Sequence, residues 1–148
     1  MKKDHHTDFL RALFACAVQS VHPSACLAAH LPADRIEGRT IILAAGKAAT
    51  AMAKVAAETM AGKLEGLAVT RHGHLAAHMP GCIEVIEAGH PIPDAMSRAT
   101  APRMMALAEA ATEDDRIIML ISGGASALLS APVAGVTFSD KQKVTKFL

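Results

Sequence analysis

One stretch limits the folds open to this 148-residue chain more than any other: Arg116 to Ser130, RIIMLISGGASALLS. Five apolar residues, Ile117 to Ile121, lead into Ser122, Gly123, Gly124, Ala125 and Ser126, and a second apolar run follows. A short continuous apolar run bounded by turn residues is the pattern of a strand buried on both faces. The two glycines permit a tight turn and a close approach of backbone to a ligand. Ala125 to Ser130 can then begin a helix, with Ser122 or Ser126 as hydroxyl donor or cap. Strand, glycine loop and helix start together make an anion site, because unpaired N–H groups and the positive helix end point at one place. A βα turn packed for its own sake reads the same way, so other parts of the chain must separate the two.

The chain alternates strand and helix signals. Phe9, Leu10, Leu13, Phe14, Ala17, Val18 and Val21 form an apolar stripe at helical spacing, with Thr7 or Asp8 as cap. His5 and His6 before it read as disordered. His22-Pro23 stops this helix, and residues 22–39 read as a polar connection with a short helix at Ser24 to His30. Thr40 to Ala44 reads as a strand and Ala45-Gly46-Lys47 as a turn. An Ala-rich helix follows from Ala48 to Met60, burying Met52, Val55, Ala56 and Met60 and ending at Gly62. Leu67 to Thr70 is a second strand, Arg71 to Gly81 a loop, and Ile83 to Glu87 a strand whose alternation suits a sheet edge. After the loop Ala88 to Asp94, Asp94 caps a helix to about Ala111, interrupted or kinked near Pro102. Pro132 to Thr137 is a loop, and Ser139 caps a last helix that carries Phe147 and Leu148 where the chain stops. This order predicts an α/β fold: a mainly parallel sheet with helices on both faces. Ligands in such sheets sit outside the carboxyl ends of the strands, which directs attention to the loops 45–48, 71–81, 88–94 and 122–126.

Composition narrows the function. Hydrophobic residues make up 51%, with four Phe and no Tyr or Trp, so the core is aliphatic and base-stacking platforms are absent. A formal net charge of +1 gives no field to gather nucleic acid. No run of 18 apolar residues predicts a membrane span. Lys2 and Lys3 begin an ordinary helix and not a signal peptide. Cys16, Cys26 and Cys82 are odd in number and lack CxxC spacing, which fits reduced thiols in a cytoplasm.

Three motifs carry chemistry. Gly46-Lys47, between a strand and a helix start, can place an ammonium on an anion held there. A surface lysine gives the same pattern, although the helix dipole disfavours it at that end. The turn is not a Walker A loop, since Ala48 follows the lysine. As a dinucleotide fingerprint it is poor: Ala44, Gly46 and Ala49 hold the glycine positions, and no acid clearly ends the second strand. His90-Pro91-Ile92-Pro93-Asp94 is a stiff loop, suited to positioning a substrate or general base; Asp94 also reads as an N-cap and His90 as a loop hydrogen-bonder. His72, His74 and His78 fit no common zinc spacing, and a polar loop whose histidines do different jobs explains them better.

Together, the AAGKAA turn, the VTRHGH segment, EAGHPIPD and LISGGASALL occur in this order in the glycerate 2-kinase family, of the type also named hydroxypyruvate reductase in tartrate utilisation. The chain resembles the N-terminal part of such a protein from its first helix to GVTFSDKQKV. The resemblance implies a Rossmann-like domain of a longer two-domain protein, truncated at the C-terminus. It implies transfer of the ATP γ-phosphoryl group to the 2-hydroxyl of D-glycerate, with Mg²⁺. Lys47 matches the family's catalytic lysine. Gly123, Gly124 and Ser126 match its glycine-serine loop, preceded by Ser122 and interrupted by Ala125, for phosphate or substrate binding alongside Gly46. Gly89, His90, Pro91, Pro93 and Asp94 match a second signature, and Gly73 and His74 a third with no chemistry assigned.

The expected partner is a small hydroxy acid, the expected location the cytoplasm. With half of a cleft, the fragment alone should be inactive, and surface left uncovered invites homo-oligomerisation. Two rival readings are an NAD(P)-dependent hydroxypyruvate reductase and a non-catalytic phosphosugar-binding domain.

Overall fold

The computed structural model describes residues 5–147, so the expectations drawn at Lys2, Lys3 and Leu148 lie outside it. Four strands form one sheet in the order β3-β2-β1-β4, and every pairing is parallel. They are β1 (Arg39–Ala45), β2 (Lys63–Arg71), β3 (Ile83–Ala88) and β4 (Arg116–Ile121). β1 is central, and from Thr40 to Ala45 no residue is more than 2% exposed. Its continuous apolar sequence satisfies both faces at once.

Two apolar layers enclose the sheet. Ile42, Ala44 and Ala68 face α3 (Ala49–Thr59), which contributes Ala49, Ala53 and Ala56. Ile41, Leu43, Leu67 and Val69 face the other way, against Met104 of α4 (Ala95–Glu109) and Leu128 of a short helix, Ala125–Leu128. Helices therefore cover both faces, as the strand–helix alternation requires. The small residues of α3 let it pack closely on β1, which is why alanines are buried where Met52 and Val55 were expected and those two are only half-buried.

Several expectations need correcting. β4 is an edge strand and not buried on both faces: Ile117, Met119 and Ile121 are 41%, 51% and 66% exposed. A purely apolar run gives no sign of which side lacks a neighbour. β2 begins at Lys63, because its polar first half pairs with β1 from Arg39 onward. α1 (His5–Ser20) includes His5, His6, Thr7 and Asp8 inside the helix, and its apolar stripe has no buried member. The connection after it forms a short helix, Pro23–Cys26, and a 3-10 turn, Ala28–His30. α4 runs through Pro102 without interruption. The last helix, Phe138–Phe147, starts one residue before Ser139. Its cap is Thr137, whose hydroxyl accepts the Asp140 amide at 3.1 Å while the Asp140 carboxylate accepts the Thr137 amide at 3.2 Å.

At the amino-terminal side of the sheet, Asp115 ties β1 to the turn before β4. It accepts the Arg39 amide at 2.6 Å, an Arg39 guanidinium N–H at 2.9 Å and the Thr112 amide at 3.0 Å. The Arg39 guanidinium and these amides hold its carboxyl well below the usual carboxylate range.

Ile42→Ala should lower the unfolding free energy by about 2–5 kcal/mol, since Ile42 is fully buried between β1 and α3. Leu75→Ala, on an exposed loop, should change it by less than about 0.5 kcal/mol. Urea denaturation measures both, and equal costs would contradict this account of the core.

Candidate anion-binding site

The site grows out of the way β1 ends. After Ala45, α3 leaves toward one face of the sheet; after Ile121 of the neighbouring β4, the helix carrying Leu128 leaves toward the other. Adjacent parallel strands whose connections diverge in this way open a crevice at their carboxyl ends.

Gly46 makes the junction possible. It carries φ +128°, and a Cβ there would collide with the Ser122 hydroxyl and carbonyl. The two loops are stitched together by three bonds. Ser122 N donates to Ala45 O at 2.9 Å, Lys47 N to Gly123 O at 3.0 Å, and Ala48 N to Ser122 Oγ at 2.9 Å. Ser122 thus serves the start of α3 and not its own helix, whose N-cap is Gly124 with φ +92°. Gly46 N is also used, donating to Val69 O at 3.1 Å, and Ala49 N donates to Gly46 O at 3.2 Å. The amides around Lys47 are therefore committed to the protein. Those of Gly123, Gly124, Ala125 and Ser126 have no hydrogen-bond partner among the described residues. Four successive open donors lie on one loop.

Side chains converge on that loop. A Cβ on Gly124 would lie 2.9 Å from His90 Nε2 and 3.4 Å from Lys47 Cε, so both side chains stand over the glycine turn. Burial, and the positive charges of Lys47 and then Arg71, push the His90 imidazole below its ordinary pKa. His90 is held by a turn that begins with Gly89, where a Cβ would lie 2.5 Å from Ile92 O, and that contains a cis peptide before Pro91.

Asp94 anchors the far end of the turn. Its carboxylate accepts the Ser97 amide at 2.9 Å, capping α4, and Ser97 Oγ accepts the Asp94 amide at 3.0 Å. His72 Nε2 donates to the other carboxylate oxygen at 2.7 Å. Burial opposes the charged form, but bonds from His72, Ser97 and the Gly89 amide prevail and hold the carboxyl at about 2. Asp94 is thus both the expected cap and a strut between the end of β2 and the His90 turn.

The structure brings together Gly46, Lys47, His90 and Ser122 to Ser126, and places Asp94 one step behind them. Sequence reasoning missed Arg71, the last residue of β2, which it left in a loop. Its signal was its place after VT at a strand's carboxyl end. The three loop histidines do separate jobs: His72 pairs with Asp94, the His74 amide donates to Glu87 at 3.3 Å, and the His78 carbonyl accepts from Lys54 at 3.0 Å. Among the described residues no group of three His, Cys, Asp or Glu could hold a metal ion. No described helix is long and apolar enough to cross a membrane. The largest cavity, about 680 Å³, lies elsewhere, between α4 and the last helix, lined by Arg98, Pro102, Phe138 and Gln142. It lacks converging charge, since its Arg98 stacks on Phe138 at 5.9 Å.

Fold and site define a parallel α/β protein with a cationic crevice at its strand ends. The chain belongs to the family described as "Domain of unknown function (DUF4147)", matched over residues 9–148. It is 36% identical over 133 residues to a D-glycerate 2-kinase of Thermotoga maritima, covering 89% of this chain and 31% of that protein. It is 41% identical over 140 residues to a protein of Agrobacterium vitis named "Putative hydroxypyruvate reductase", covering 94% of this chain and 31% of that protein. The crystal structure of glycerate kinase from Thermotoga maritima superposes with a TM-score of 0.74 at 34% identity, over 89% of this chain and 32% of that one. The chain spans about a third of the length of these relatives.

Stability should fall as pH drops from about 4 to about 2, because the unfolded Asp94 carboxyl, with its ordinary value of 3.8, takes up a proton there that the folded one still refuses. Unfolding measured across that range should show a smaller pH slope in Asp94→Asn; an unchanged slope would contradict the strut.

Proposed function

We propose that the protein to which this chain belongs is a D-glycerate 2-kinase. It would transfer the γ-phosphoryl group of ATP to the 2-hydroxyl of D-glycerate. The observation that carries this reading is the convergence of Lys47 and His90 on a loop with four open amides, at the carboxyl ends of adjacent parallel strands. Resemblance to glycerate kinases in sequence and in structure supports it.

In such a transfer the substrate oxygen forms a bond to the γ-phosphorus as the bond to the bridging oxygen of ADP breaks, and the hydroxyl proton leaves to a base. Charge spreads over the equatorial oxygens of the moving group, so positioning and fixed positive charge supply most of the acceleration. Lys47 provides that charge, and the amides of Gly123 to Ser126 provide donors that need no reorganisation. His90, lowered below its ordinary pKa, is a neutral imidazole at neutral pH and offers a ring nitrogen to accept a proton. The acids nearest the crevice, Glu87 and Asp94, are already engaged by amides and by His72. The described residues therefore do not supply the oxygen ligands that Mg²⁺ takes, and no step here runs through a metal.

The reductase name found among relatives favours a nicotinamide reaction instead. Against it, Ala49 holds the third glycine position of the dinucleotide fingerprint, and a cation, Arg71, ends β2 where the ribose-binding acid belongs.

A coupled ADP-release assay on the full-length protein, with D-glycerate, ATP and Mg²⁺, should show turnover that falls about 100-fold or more in Lys47→Ala. Oxidation of NADH by hydroxypyruvate without ADP formation would overturn the kinase reading.

A further inference from the structure

The VTRHGH segment found no chemical role in the reading above, yet it places Arg71 at the mouth of the crevice. Strand alternation sets Arg71 on the face of Leu67 and Val69, the face that also carries Leu128 and the glycine loop. It pairs across the sheet with Ala88, two residues before His90. Its side chain is half-buried, and its Nε is fully buried with no hydrogen-bond partner. A guanidinium in that state is unusual in this molecule. Arg39 is paired with Asp115 and Glu65, Arg103 with Glu84, and Arg116 with Asp34. Arg71 has no acidic partner among the described residues.

The acids that could have neutralised it are turned elsewhere. Glu87, the next residue to Ala88, accepts the amides of Gly73 and His74, and Asp94 accepts from His72 and Ser97. Lys47, across the crevice, also lacks a carboxylate. Two unneutralised cations facing one imidazole cost free energy unless an anion occupies the space between them. The strand end that holds Arg71 is fixed: His72 N donates to Ala88 O at 3.3 Å, and the His72–Asp94 bond ties it to the His90 turn.

We propose that Arg71 is an oxyanion-binding residue of the crevice, its planar guanidinium taking the two-oxygen face of a carboxylate or phosphate group that Lys47 contacts from the other side. The fork geometry of arginine suits that face, whereas lysine offers a point charge. The identity of the anion rests on the kinase reading; the site itself does not. Within that reading the group is either the carboxylate of the hydroxy acid or a phosphate of the nucleotide.

The test uses full-length protein with Arg71→Gln and Arg71→Lys, both checked by circular dichroism and thermal unfolding. Titration calorimetry with inorganic phosphate reads the site without turnover. Wild type should bind phosphate, with affinity about 10- to 100-fold weaker in Arg71→Gln and partly restored in Arg71→Lys. Initial rates then locate the anion: a rise in KM for D-glycerate alone assigns the carboxylate, a rise in KM for ATP alone the nucleotide phosphate. Phosphate affinity and both KM values unchanged in folded Arg71→Gln would overturn the proposal. Absence of any ADP release in wild type, with phosphate binding still lost in Arg71→Gln, would sink the kinase reading and leave the site standing. Tight NADPH binding that depends on Arg71 would do the same, and would place a ribose phosphate there.

Discussion

The site depends on a strand that has nowhere to go. β1 is hydrogen-bonded on both edges and covered on both faces, so its end is fixed by its neighbours and not by its own loop. Because β2 lies on one side and β4 on the other, the chain leaving β1 and the chain leaving β4 must diverge. Gly46 and Ser122 meet at that divergence. The Ser122 hydroxyl closes the open amide at the start of α3, which frees the next loop to keep its own amides unpaired. A bond that serves one helix therefore leaves donors available beside another.

Charge completes the arrangement. Parallel strand ends already favour anions, since helix starts and loop amides gather there. Here Lys47 and Arg71 add two full charges with no local acid to cancel them, and His90 responds by staying neutral. The struts around the crevice, His72 to Asp94 and Asp94 to Ser97, hold these groups on rigid elements. Such preorganisation is what phosphoryl transfer asks of a protein that does little covalent chemistry itself.

Much of this was legible in the sequence, for identifiable reasons. Apolar runs ending in glycine located β1 and β4 and put Gly46-Lys47 and Ser122 to Ser126 at the same edge. Turn chemistry marked Asp94 as a cap, which it is. The burial of β4 was misread because periodicity reports which residues are apolar, not whether a neighbour is present to cover them. The serine that caps was misassigned because Ser122 acts on residue 48, a partner 74 positions away that only the fold brings near. Arg71 was missed for the same reason: alone it is one more arginine, and its meaning comes from carboxylates that are nearby yet committed elsewhere.

The central claim is that His90 sits in a positive crevice built to receive an oxyanion. The most direct test is an NMR titration of the His90 imidazole, with and without inorganic phosphate. The account predicts an apparent pKa below the ordinary 6.5 that rises when phosphate is added, because the anion screens Lys47 and Arg71 and stabilises the imidazolium. A value at or above 6.5 that phosphate does not move would contradict it.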